Sequence, residues 1–122
     1  MSKWHALLID DEEELVSTLV ERLAYRGIEA RYAVNGPQAL ELMENHPFDV
    51  VLLDLKLPGM SGSEVLAVIK QKWPGVPVIM ITGHGGGEDA PMSELARAHD
   101  CLTKPVSIEI LIAKMEEVLA TR

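Results

Sequence analysis

The chain has 122 residues, enough for one domain with a hydrophobic core of its own. Apolar residues make up 48% and charged residues 25%, the balance of a globular protein and not of a disordered one. A net charge of −8 argues against direct nucleic-acid binding or adhesion to an anionic membrane, and no apolar run approaches the roughly 20 residues that cross a bilayer.

In chain order, short aliphatic runs alternate with segments of helical period. The first run, residues 6–9, is predicted to be a strand and ends in Asp10 and Asp11. Leu15, Val16, Leu19, Val20 and Leu23 then follow the i, i+3, i+4 spacing of a helix stripe, and Gly27 stops that helix. A weaker strand candidate covers residues 29–34. Pro37 suits the first turn of a second helix, which carries Leu40 and Met43 and ends before Pro47. Residues 50–53 are four aliphatics in a row, followed at once by Asp54. Ser61 and Gly62 open a third helix with Val65, Leu66, Val68 and Ile69, stopping near Trp73 and Pro74. Another strand is expected at residues 76–81, ending in Thr82 and Gly83. A short fourth helix can start at Asp89–Pro91. A weak strand at residues 100–103 runs into Lys104 and Pro105, and Ser107 caps a fifth helix carrying Leu111, Ile112, Met115, Val118 and Leu119.

The order is strand then helix, five times over. Strands that read as continuous aliphatic runs belong to a parallel sheet covered by helices on both faces. The expectation is an α/β fold occupying residues 1–122 as a single domain. In such sheets the working site lies beyond the carboxyl ends of the strands.

At those ends the sequence places Asp10, Asp11, Asp54, Thr82 and Lys104. Three carboxylates so close repel one another, and a divalent cation removes the conflict. Mg2+ takes oxygen ligands, tolerates a few carboxylates and keeps room for a phosphate oxygen. Lys104 adds a movable positive charge and Thr82 a hydroxyl donor. A carboxylate can itself accept a phosphoryl group as an acyl phosphate. Asp54, following the most buried strand, is the candidate nucleophile, and Asp10 and Asp11 are candidate metal holders. Taken singly, Asp11 could cap a helix, Asp54 could form a turn, and Thr82 and Lys104 could be ordinary surface residues. Their arrival together at four strand ends is what carries the reading.

The stretches "LLIDDE" at 7–12, "DVVLLDLKLPGMSG" at 49–62, "VIMITGHG" at 78–85 and "DCLTKPV" at 100–106 resemble the receiver domains of two-component response regulators over essentially the whole chain. The resemblance implies a doubly wound, five-stranded parallel sheet of flavodoxin-like, CheY-like order 2-1-3-4-5. It implies Asp54 as phospho-acceptor, with Mg2+ held by Asp10, Asp11, Asp54 and the backbone carbonyl of Lys56. Thr82 and Lys104 would contact the phosphoryl group. The phosphoryl donor would be a sensor histidine kinase or a phosphotransfer protein. The response would be a changed surface around the fourth helix, fifth strand and fifth helix, read by an output domain or partner protein, and the resemblance allows a phosphorylation-dependent homodimer. Such a domain is not an enzyme beyond its own phosphoryl transfer and dephosphorylation. The wording "ITGHG" leans towards regulators of transcription.

Two features depart from the family pattern. An aromatic residue usually stands three places before the lysine, where this chain has Cys101. Cysteine is too small to fill the space a ring would take when Thr82 moves. As the sole cysteine, Cys101 excludes an internal disulfide and fits a reducing, cytoplasmic setting, with a buried apolar role expected. The stretch "GHGGGED" at 83–89 lacks the glycine spacing of a dinucleotide site, so flexibility is its expected property. His84 and Lys56 are expected at the mouth of the site, tuning attack by water. A dehalogenase-type phosphatase also uses a strand-end aspartate, but it wants a second aspartate two residues on, where this chain has Lys56. A docking module without phosphoryl chemistry is the other alternative, and the intact acidic set argues against it.

Overall fold

The computed structural model describes residues 4–82, 100–103 and 106–120. Five parallel strands lie in one sheet in the order β2-β1-β3-β4-β5: β1 (His5–Ile9), β2 (Glu29–Ala33), β3 (Val50–Asp54), β4 (Val78–Thr82) and β5 (Asp100–Thr103). Helices α1 (Glu13–Tyr25), α2 (Gly36–Asn45) and α3 (Gly62–Lys72) join the first four strands, and a C-terminal helix covers Ile108–Ala120. The segment expected to hold a fourth helix lies outside the described residues. The α/β, parallel-sheet expectation stands.

Strand β3 sits centrally, and every one of its five residues is buried. Parallel pairing to β1 on one side and β4 on the other satisfies its backbone. Its side chains alternate between two cores, as the period of two requires. Val51 and Leu53 pack with Leu7, Ile9, Val65, Leu66 and Ile69 under α2 and α3. Val50 and Leu52 pack with Leu8, Val16, Leu23, Leu111 and Met115 under α1 and the C-terminal helix. Both cores grip one strand, so the residue at its end is held by the whole domain.

The helix ends explain how the chain reverses. Gly27 takes a positive φ of 79° just after α1. Asn35 caps α2, its side chain accepting from the Gln38 N–H at 2.8 Å, with Pro37 in the first turn. Ser61 and Glu64 form a reciprocal capping box at the start of α3. Ser107 Oγ accepts from the Ile110 N–H at 3.2 Å, as its position before the C-terminal helix predicts.

Two expectations need correction. Leu15 belongs to the apolar stripe by spacing, yet it is 46% exposed, because the inward line of α1 runs through Val16 and Leu23. The fourth strand begins at Val78 and not at residue 76. The Val76 N–H closes a turn onto the Trp73 carbonyl, and Pro77 has no N–H to give to a ladder.

Candidate functional site

Asp10, Asp54 and Thr82 are the buried polar or charged side chains among the described residues. All three stand at carboxyl ends of neighbouring strands, β1, β3 and β4. A cluster of buried polarity in an otherwise aliphatic sheet is costly unless it is used or satisfied.

Asp10 follows β1 directly, and its N–H continues the ladder by donating to the Ala33 carbonyl at 3.0 Å. Its Oδ1 accepts from the Glu12 N–H at 2.9 Å, which orients the carboxylate ahead of α1. Asp11, the next residue, is exposed. Asp54 closes β3, and the Leu55 N–H donates to the Ile81 carbonyl at 3.1 Å, holding the chain to β4 for one more residue. Oδ1 of Asp54 accepts from the Lys56 N–H at 3.1 Å. One oxygen from each of Asp10, Asp11 and Asp54 lies within 4.8 Å of the others.

An all-oxygen, carboxylate-rich set is the chemistry that hard divalent cations select, and three carboxylates leave coordination positions for water or a phosphate oxygen. The residues present therefore fit Mg2+. Thr82 sits on the strand adjoining β3, and its hydroxyl makes a long hydrogen bond of 3.5 Å to the Leu102 carbonyl. A bond of that length holds the hydroxyl weakly.

The structure thus brings together Asp10, Asp11 and Asp54, and places Thr82 on the same edge of the sheet. Lys56 is exposed in the loop that follows Asp54. Lys104, His84 and the glycine-rich stretch at 83–89 lie outside the described residues, as does the side chain of Cys101, whose backbone pairs with Met80 in β4.

Sequence reading missed one feature of this edge. Gly62 packs directly on the strand end, where a Cβ would stand 2.6 Å from the Asp54 carbonyl oxygen. The signal was present only as a helix-opening Ser-Gly pair, which says nothing about what the glycine touches. The Tyr32 hydroxyl donates to Glu13 Oε2 at 3.0 Å, and that carboxylate raises the phenol pKa above its ordinary value.

Residues 6–116 match the response regulator receiver domain family. The chain is 37% identical over 121 residues to the response regulator protein PilR of Pseudomonas aeruginosa, covering 99% of this chain and 26% of that protein. It is 41% identical over 113 residues to the sensory transduction protein RegX3 of Mycolicibacterium smegmatis, covering 93% of this chain and 49% of that protein. The uncharacterized transcriptional regulatory protein YkoG of Bacillus subtilis is 34% identical over 119 residues, with 98% of this chain and 52% of that protein covered. The chain therefore spans between about a quarter and a half of the length of these relatives. Among solved structures, the receiver domain of NtrX from Brucella abortus superposes with a TM-score of 0.86 at 32% identity, covering 96% of this chain and 99% of that one. A CheY-like receiver domain protein from Methanospirillum hungatei gives 0.89 at 32% identity, covering 98% of this chain and 96% of that one.

Proposed function

The chain belongs to the response regulator receiver domain family, and on that premise we propose that it is a phosphorylation-controlled switch with Asp54 as its acceptor. The observation that carries the reading is the buried Asp54 carboxylate at the end of the central strand, clustered with Asp10 and Asp11.

In the proposed reaction a carboxylate oxygen of Asp54 attacks the phosphorus of a phosphohistidine on a sensor kinase or phosphotransfer protein. The new O–P bond makes an acyl phosphate, and the histidine nitrogen leaves with the electron pair of the broken N–P bond. Asp10, Asp11, Asp54 and the Lys56 backbone carbonyl would hold Mg2+, which when bound supplies positive charge against the phosphoryl oxygens. The Lys56 N–H, bonded to Oδ1 of Asp54, helps to fix the orientation of the carboxylate. Burial of β3 on both faces keeps that carboxylate in one place, which is the positioning a loose phosphoryl transition state needs. Thr82 would turn its hydroxyl from Leu102 to a phosphoryl oxygen, and Lys104 would give a second positive charge.

The domain then acts by changing the surface around β5 and the C-terminal helix, together with the segment between β4 and β5, for an output domain or partner that controls transcription. It turns over no other substrate, and its expected setting is the cytoplasm. No helix among the described residues is long and apolar enough to cross a membrane.

Incubation with Mg2+ and acetyl phosphate, read by intact mass, tests this. Addition of one phosphoryl group, lost when EDTA is present and lost in Asp54→Asn, is the expected result. No adduct, or an adduct that survives Asp54→Asn, would contradict it. Sustained hydrolysis of a phosphomonoester would favour a phosphatase instead.

A further inference from the structure

The loop after Asp54, residues 55–61, carries the Lys56 carbonyl assigned above to the metal. Its two ends meet. The Gly62 N–H donates to the Leu55 carbonyl at 3.1 Å, and a Cβ on Gly62 would stand 2.7 Å from Leu55 Cα and 2.8 Å from the Leu55 oxygen. Closed ends fix the base of the loop but not its far side, which must be located by another contact.

Leu57 and Met60 of the loop both pack against the core, and Met60 does so against the first residue of α2. Gly36 is buried, and a Cβ built there would lie 2.8 Å from Met60 Sδ, 2.8 Å from Val65 Cγ2 and 3.1 Å from Met60 Cβ. The Met60 side chain therefore rests where Gly36 has no side chain of its own. Only the first of the three contacts is relieved cheaply, by rotating the thioether away. The Met60 Cβ is fixed to the loop backbone, so no rotamer change moves it. Val65 is β-branched, stiff at χ1 and fully buried in α3. Any side chain at position 36 must therefore push the loop backbone, the start of α3, or both.

We propose that Gly36 and Met60 form a latch between the start of α2 and the loop after Asp54, and that this latch sets how tightly the acidic cluster holds a divalent cation. The inference rests on the metal site of the proposed function. Gly36 and Met60 are positioning residues, acting through the loop and touching neither the metal nor the reacting atoms. Gly36 lies on a different element from the acidic residues, so the start of α2 influences the site without contributing a ligand.

The test is a Mg2+ titration of the whole chain, followed by amide NMR shifts at Asp10–Glu12 and Asp54–Lys56, in the parent, Met60→Ala, Gly36→Ala and the double variant. Met60→Ala removes the latch without a clash, and about tenfold weaker Mg2+ binding is expected, as for other residues that support metal ligands indirectly. Gly36→Ala should weaken binding at least as much, and it should weaken binding further in the Met60→Ala background, since removing the thioether leaves the Val65 Cγ2 and residue-60 Cβ contacts in place. Val118→Ala, in the opposite core, serves as a variant that loses stability without disturbing the loop, and it should bind Mg2+ like the parent. Hydrogen exchange in metal-free protein gives an independent reading: the Lys56 and Gly62 amides should exchange faster in Met60→Ala. Parent binding with unchanged affinity and unchanged exchange in Met60→Ala would overturn the latch alone. Absence of Mg2+ binding in the parent would overturn the metal site and, with it, the latch's role in affinity.

Discussion

Two aspartates stand at opposite ends of the same buried strand, and their surroundings differ. Asp49, at the amino end of β3, accepts the His5 N–H on Oδ2 at 2.8 Å, while its own N–H donates to the His5 carbonyl at 2.7 Å. This pair of bonds stitches the start of β3 to the start of β1. Asp54, at the carboxyl end, also accepts a backbone N–H, but it shares its surroundings with two further carboxylates within 4.8 Å. At the amino edge the chain answers a carboxylate with its own backbone. At the carboxyl edge it gathers three carboxylates around one point. The difference in surroundings is what favours Asp54 over Asp49 as the proposed acceptor.

The two edges of β3 should differ most when each carboxylate is removed in turn. Asp54→Asn should abolish phosphorylation by acetyl phosphate altogether, whereas Asp49→Ala should leave the yield unchanged. Asp49→Ala should instead cost stability, about 1–3 kcal/mol for a part-buried N–H left without its acceptor, measured by urea unfolding. If Asp49→Ala lost phosphorylation without losing stability, the division between the edges would fail.

Metal linkage sharpens the same contrast. At a Mg2+ concentration about a hundredfold above its Kd, the parent should gain about 2.7 kcal/mol of stability by mass action, and Asp54→Asn should gain much less. Next in size is Gly62→Ala, which drives a Cβ against the Asp54 carbonyl and Leu55 backbone. Backbone there cannot rotate away, so a loss of about 1–3 kcal/mol is expected, together with weaker Mg2+ binding. A Gly62→Ala protein as stable as the parent would show that the close approach is not needed.

The smallest effect concerns Tyr32 and Glu13. The hydrogen bond to the Glu13 carboxylate favours the protonated phenol, so its folded pKa is raised. The stabilisation from this bond is therefore present below the unfolded phenol value of about 10 and is lost as pH rises through the folded value. Glu13→Gln should lower the midpoint of the tyrosinate absorbance assigned to Tyr32. An unmoved midpoint would place the cause elsewhere.

Much of this was legible before any coordinates. The aliphatic run at 50–53 announced a strand buried on both faces, and the carboxylate after it stood out because burial and charge conflict. Asp10 and Asp11 were legible for the same reason, at the end of another such run. What Asp49 binds was not legible, because its partner is the backbone of a residue 44 positions away. Neither was the packing of Met60 on Gly36, nor that of Gly62 on Leu55, since close approach leaves no periodic trace. Leu15 misled because a stripe defined by spacing is wider than the line that α1 turns inward. The start of β4 shifted because Pro77 ends one kind of hydrogen bonding before the next begins. The expected roles of Lys104 and His84 fall on positions outside the described residues, so their part of the site rests on sequence.

Asp54 is the residue proposed to take the phosphoryl group. After reaction with Mg2+ and acetyl phosphate, borohydride reduction of the acyl phosphate followed by peptide sequencing in the mass spectrometer locates the modified carboxylate. The expected result is a single reduced aspartate at position 54, absent without Mg2+. Reduction at Asp10, Asp11 or Asp49 instead, or at no aspartate, would contradict the central claim.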